Sequence, residues 1–105
     1  MNIIKMREME EKKNKRGVAA KLLLKHDHVQ IMNLVLEPGD VVPEHSVPVD
    51  VFFYIVEGKG TIKVGDEEAV VSATDIITVP PNTGMSLAAD QGEKFVFLNV
   101  KTPAL

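Results

Sequence analysis

The residue best placed to do chemistry is His45, in the stretch Gly39-Asp40-Val41-Val42-Pro43-Glu44-His45-Ser46-Val47-Pro48-Val49-Asp50-Val51. An imidazole can ligate a metal ion or carry a proton, and it can equally be a structural group hydrogen-bonded to a backbone carbonyl or a water. As a sole ligand it fails, because stable sites for zinc and its neighbours take three or four protein donors. The nearest carboxylates are Glu44 and Asp50. Glu44 reads as a solvated loop residue, whereas Asp50 would point away from Val51 in a regular strand and could join His45 only at a bulge. A second imidazole pair, His26-Asp27-His28, falls at a hairpin turn in which Asp27 is the turn residue, with no third ligand nearby. Ser46, Ser72 and Ser86 sit in no nucleophile elbow, so serine catalysis has no support.

The spacing around His45 is more specific than the histidine itself. Gly39, five residues, His45, one residue, Val47, three residues, Val51, six residues and Gly58 follow one another without a gap. This resembles the first motif of the cupin superfamily, in which the positions of Val47 and Val51 hold a second histidine and a glutamate. The second family motif is similar to Thr74-Asp75-Ile76-Ile77-Thr78-Val79-Pro80-Pro81-Asn82-Thr83-Gly84-Met85, with Ala89 beyond it. There Pro80 is retained, Asn82 stands for a glycine, and Met85 stands for a third histidine. Asn is one of the few side chains that tolerate a left-handed turn. A thioether is a soft ligand, poorly suited to harder divalent ions. The resemblance spans roughly residues 29 to 100. It implies a jelly roll of two antiparallel sheets and, in family members with all four ligands, a metal-dependent oxygenase, isomerase or decarboxylase.

The elements that must position these residues read as short strands. Apolar, β-branched runs occupy 18–25, 29–36, 51–56, 61–64, 68–71, 76–79, 86–88 and 95–100, each bounded by Gly, Pro, Asp or Asn. That pattern predicts an all-β antiparallel sandwich or barrel, matching the double-stranded β-helix the resemblance implies. The one helical candidate is residues 6–13, without a clear cap, so at most a short N-terminal helical turn is expected. Period-two alternation puts Val47, Val51, Phe53 and Ile55 on the face of His45, and Phe52, Tyr54 and Val56 on the other. The expected ligand pocket is therefore His45, Val47, Val51, Phe53 and Met85. The register of Met32 is open. Asp75 is expected to shape a turn through its side chain.

At 105 residues the chain makes one domain, read as an N-terminal arm over 1–17 and a barrel over 18–105. It has no cysteine, no signal-peptide pattern and no run of membrane-spanning length. The expected location is cytoplasmic. Residues 1–27 hold eight Lys or Arg against four Asp or Glu, and residues 28–105 hold four against eleven. The basic run Lys12-Lys13-Asn14-Lys15-Arg16 has no aromatic neighbours and belongs to an acidic protein, so it reads as a solvated loop rather than a nucleic-acid contact.

Two functions of different class follow. In the first, the barrel holds an unidentified small organic molecule in an apolar pocket, with no metal and no other cofactor. In the second, a remodelled metal site on His45 and Asp50 serves a cupin-type enzyme. A metal-free isomerase with His45 as base and Tyr54 as acid is disfavoured because alternation separates the two. Partners are expected to be a second copy of the chain, through the face of Phe52, Tyr54 and Val56, with neither nucleic acid nor membrane.

Overall fold

The computed structural model describes all residues, Met1–Leu105. A 3-10 turn over Met6–Glu8 precedes ten strands. They are β1 (Lys12–Lys13), β2 (Ala19–His26), β3 (Val29–Leu36), β4 (Val41–His45) and β5 (Asp50–Glu57), followed by β6 (Lys59–Val64), β7 (Glu67–Ser72), β8 (Ile76–Val79), β9 (Met85–Ala89) and β10 (Phe95–Thr102). They form a six-stranded sheet in the order β1-β2-β3-β10-β5-β8 and a four-stranded sheet in the order β4-β9-β6-β7. Every pairing is antiparallel. The fold is thus the two-sheet jelly roll that the short, turn-bounded runs predict.

The helical candidate over residues 6–13 is one 3-10 turn at Met6–Glu8, the short N-terminal turn expected. No side chain caps it at Lys5, and Met9 is already extended at φ −75, ψ 145. Two strands, β1 and β4, lie outside the sequence expectation. In the first, Lys12 and Lys13 pair with Ala20 and Ala19. The second is β4, whose Pro43 obscures it as a strand. Proline cannot donate to a ladder, but β4 is an edge strand, where a missing N–H costs little, and its pairing with β9 shifts register between Val42 and His45.

Between the sheets lies one core built around Phe53, Phe95 and Phe97, all essentially inaccessible. Phe53 and Phe97 meet edge to face at 5.6 Å and 75°, and Phe95 packs on Phe97 at 5.3 Å, the offset geometries aromatic quadrupoles favour. Alternation on β5 runs as expected: Val51, Phe53 and Ile55 are buried, while Phe52, Tyr54 and Val56 are half-buried on the outer face. The motif glycine Gly58 has a steric reason. At φ +82, a Cβ there would lie 1.8 Å from the carbonyl oxygen of Lys94, so no other residue fits.

Turn chemistry follows the sequence closely. Asn82 takes φ +59, and its N–H donates to the carbonyl of Val47 at 2.8 Å, tying the second motif to the first. The Asp75 carboxylate accepts from the Ser72 N–H at 2.9 Å. His26 Nδ1 accepts from the His28 N–H at 3.2 Å, and both imidazoles are exposed on a hairpin turn.

Candidate functional site

The inner rows of the six-stranded sheet can be read straight across the ladders. One row runs Lys25, Gln30, Lys101, Val51, Val79, and the next, one step deeper, runs Leu22, Met32, Asn99, Phe53, Ile77. At the β2–β3–β10 end these rows do not pack to closure against the second sheet. They leave a cavity of about 280 Å³. Its floor is apolar, made by Leu34, Phe53 and Phe97 from one sheet and by Val42 and Leu87 from the other. Met32, whose register the sequence leaves open, faces into it. Gln30, Asn99 and Lys101 line one wall, His45 the other, and Asn14 and Arg16 of the β1–β2 loop form the rim.

The expected pocket residues divide between cavity and core. His45 and Phe53 line the cavity. Val51 (3% exposed) and Met85 (1%) are core residues with Phe53, and Val47 packs against the same cluster. His45 and Met85 are directly paired across β4 and β9, so the five form a contiguous group, with His45 and Phe53 at its accessible end. Asp50 is exposed and pairs regularly with Thr102, without a bulge to turn it inward. Residues absent from the sequence-based pocket are Gln30, Asn99, Lys101 and Arg16. Their signal was available: within Phe95-Val96-Phe97-Leu98-Asn99-Val100-Lys101, period two places Asn99 and Lys101 on the core face of Phe95 and Phe97.

Polarity in this cavity is one-sided. Arg16 and Lys101 are its fully charged lining residues, and no carboxylate lines it. Burial lowers the Lys101 pKa from its ordinary value, and the positive charge of Lys25 lowers it further. Asn99 is 9% exposed, yet its Oδ1 accepts no hydrogen bond, nor does the buried Oε1 of Gln30. Each orphaned acceptor costs roughly 1–3 kcal/mol. The ring of His45 is oriented: Nδ1 lies 3.0 Å from the Pro43 carbonyl oxygen. A carbonyl only accepts, so Nδ1 carries the proton and Nε2 is the nitrogen open to a ligand.

The cupin resemblance implies a metal, and the donors present do not fit one. No group of three or more His, Cys, Asp or Glu side chains is gathered anywhere in the fold. At the family ligand positions His45 stands with Val47, Val51 and the fully buried Met85. Two valines and a thioether offer a divalent ion no hard donor.

Similarity to known proteins agrees with the architecture. The chain superposes on the structure of KdgF from Halomonas sp. with a TM-score of 0.90 at 16% identity, covering 99% of this chain and 96% of that one. The polyketide cyclase RemF from Streptomyces resistomycificus gives 0.87 at 15% identity, covering 97% and 79%. A predicted oxalate decarboxylase from Thermotoga maritima gives 0.84 at 22% identity, covering 98% and 100%. At such identities the likeness carries the fold alone. No curated protein matches the sequence, and no helix is long and apolar enough to cross a membrane. The family model for the cupin domain matches residues 32–101, two thirds of the chain, from within β3 to β10, and the protein belongs to the cupin family.

Proposed function

We propose that the protein binds a small organic molecule in the cavity between its sheets, without the metal that full cupin motifs hold. The observation that carries this reading is a roughly 280 Å³ cavity whose apolar floor of Leu34, Phe53, Phe97, Val42 and Leu87 lies beneath the polar side chains of Gln30, Asn99, Lys101 and His45. A few convergent polar side chains above an apolar floor are the makings of a small-molecule site. The apolar floor supplies the driving force, and the few polar groups supply orientation.

The same reading joins two copies through the outer face of the six-stranded sheet. There Leu98, Tyr54 and Ile76 form a row across β10, β5 and β8, with Ile76 63% exposed. It places the protein in the cytoplasm, where a chain without cysteines meets no redox constraint. Sedimentation at micromolar concentration is expected to give a dimer; a monomer removes that element.

A titration of the isotopically labelled protein with a library of ring-sized fragments, followed by backbone amide shifts, tests the binding role. Saturable shifts are expected at Gln30–Leu34, Val42–His45 and Phe97–Lys101. Their absence for every fragment, or their clustering elsewhere, overturns the proposal. Met32→Trp, which fills part of the cavity from β3, should abolish the response while leaving the amide spectrum dispersed.

A further inference from the structure

The chain carries a net charge of −3, and the charged residues of its barrel are mostly acidic, yet the cavity wall contains no carboxylate. Its cations are also unpartnered. Lys59–Asp90, at 3.8 Å, is the one ion pair of the fold, so Arg16, Lys25 and Lys101 face no carboxylate. Lys25 and Lys101 flank Gln30 on the same inner row, with their Cα atoms about 10 Å apart at two strand spacings. Two ammonium groups on one half-buried row repel each other, and a fold gains nothing from that arrangement unless something negative sits between them.

The basic run Lys12–Arg16 belongs to the same feature. It is exposed, as a solvated loop would be, but it is not loose. The Asn14 side-chain oxygen accepts from the Arg16 N–H at 2.9 Å and from the Val18 N–H at 3.0 Å. The backbone adds Asn14 N–H to the Val18 carbonyl and Gly17 N–H to the Asn14 carbonyl, both at 2.9 Å. This locked turn fixes the base of Arg16 on the rim of the cavity, beyond which Lys12 and Lys13 line an adjoining groove with Glu10.

Taking the small-molecule reading as its basis, we propose that the ligand is a small organic carboxylate: its anionic end lies at the mouth against Lys101, within the field of Arg16 on the rim and of Lys25 outside it, its apolar body rests on Phe53 and Phe97, and a hydroxyl meets the side-chain amide of Asn99. Burial and the charge of Lys25 both disfavour the Lys101 ammonium in the empty cavity; the opposite charge of a carboxylate favours it and offsets them. Asn99 precedes Lys101 by two residues on β10, so its side chain leaves the strand about 6.8 Å deeper. At about 30 Å³ per water-sized group, the cavity takes about ten non-hydrogen atoms. A hydroxylated aromatic acid has that size and polarity.

The test compares 4-hydroxybenzoate, benzoate and the neutral 4-hydroxybenzamide by amide-shift titration, with inorganic phosphate as a plain anion. The expected order is 4-hydroxybenzoate tightest and the amide weakest. Lys101→Met should weaken the two acids about tenfold, the scale of one charged hydrogen bond, without changing the amide. Arg16→Gln, at an exposed rim position whose side chain makes no hydrogen bond or ion pair within the fold, should weaken the acids less and reduce their sensitivity to salt. Asn99→Leu should remove the preference for 4-hydroxybenzoate over benzoate. If acid and amide bind equally in the wild type and in both cation variants, the anion proposal is overturned while the binding role stands. If phosphate matches the acids, the mouth is an ion site without a ligand body, and the proposal is also overturned. If no probe binds although library fragments do, the ligand class is wrong; if nothing binds at all, the binding role fails first.

Discussion

Because the two sheets close on neither side, the barrel has two seams, and they differ in everything except size. One, between β2 and β4, opens into the cavity of about 280 Å³ bounded by Arg16, Lys101 and His45. The other, between β7 and β8, leaves a hollow of about 290 Å³ whose charged residues are Glu67 and Glu68. The first reaches fully buried Phe53, Phe97 and Leu87 and contains orphaned acceptors. The second is floored by Ile62 and Val71 but bordered by the exposed Ile76, and no polar atom buried along it lacks a partner. Volume therefore does not distinguish a site from a gap in the architecture. Unsatisfied polar groups above a deep apolar floor do.

The largest expected effect comes from treating the packed half of the interior as if it were cavity. Val51→Arg would bury an unpaired charge among Val79, Met85 and Phe53, at a cost above about 4 kcal/mol. We expect loss of amide-shift dispersion; a folded variant would mean that the cavity extends into this half and that the contrast between the halves is false. Next in size, Lys101→Glu should abolish the response to 4-hydroxybenzoate. The double change Glu67→Lys with Glu68→Lys at the opposite seam should create none, since that seam lacks an orphaned acceptor. Uptake of the acid there would reduce the difference between the seams to charge alone.

A smaller effect concerns pH. Lys101 is lowered in the folded state, so the unfolded chain binds its proton more tightly. Stability should then rise as pH climbs from the folded value toward the ordinary value of 10.5. The charged or titratable groups around it are Lys25 on β2, Arg16 on the rim and His45 on β4, with no acid to offset them. Urea midpoints measured across the alkaline range should therefore increase more for the wild type than for Lys101→Met; equal slopes would show that Lys101 is not strained. Smallest of all, Glu68→Gln should change stability by less than about 0.5 kcal/mol and leave the 4-hydroxybenzoate response untouched, as a denaturation curve and one titration would show.

Much of the fold was legible because strands write their facing into period two. Val51, Phe53 and Ile55 separate cleanly from Phe52, Tyr54 and Val56, and the motif glycines mark turns whose backbones require them, Gly39 at φ +84 and Gly58 at φ +82. Strand β4 was illegible because Pro43 reads as a breaker until the strand is known to lie at an edge. The site was only half legible for a different reason. Gln30, Asn99, Lys101 and Arg16 are isolated polar residues from three distant segments, and only the pairing of β3 with β10 and of β2 with β3 brings them together. The basic run reads as a solvated loop by composition, and it is exposed; its position over the cavity depends on the Asn14 turn, which composition does not reveal.

One irregularity in β2 decides what the mouth is made of. Between Leu22 and Leu24 the strand carries one extra residue, so Leu24 faces Ile31 and Lys25 faces Gln30. Had it run on regularly from Leu22, then Leu23 would oppose Ile31, Leu24 would oppose Gln30 at the mouth, and Lys25 would swing to the outer surface with Val29. The chemical character of this opening is thus set by counting as much as by composition. A single-residue slip in β2, with no residue replaced, would turn a lysine-flanked entrance into a leucine-capped one.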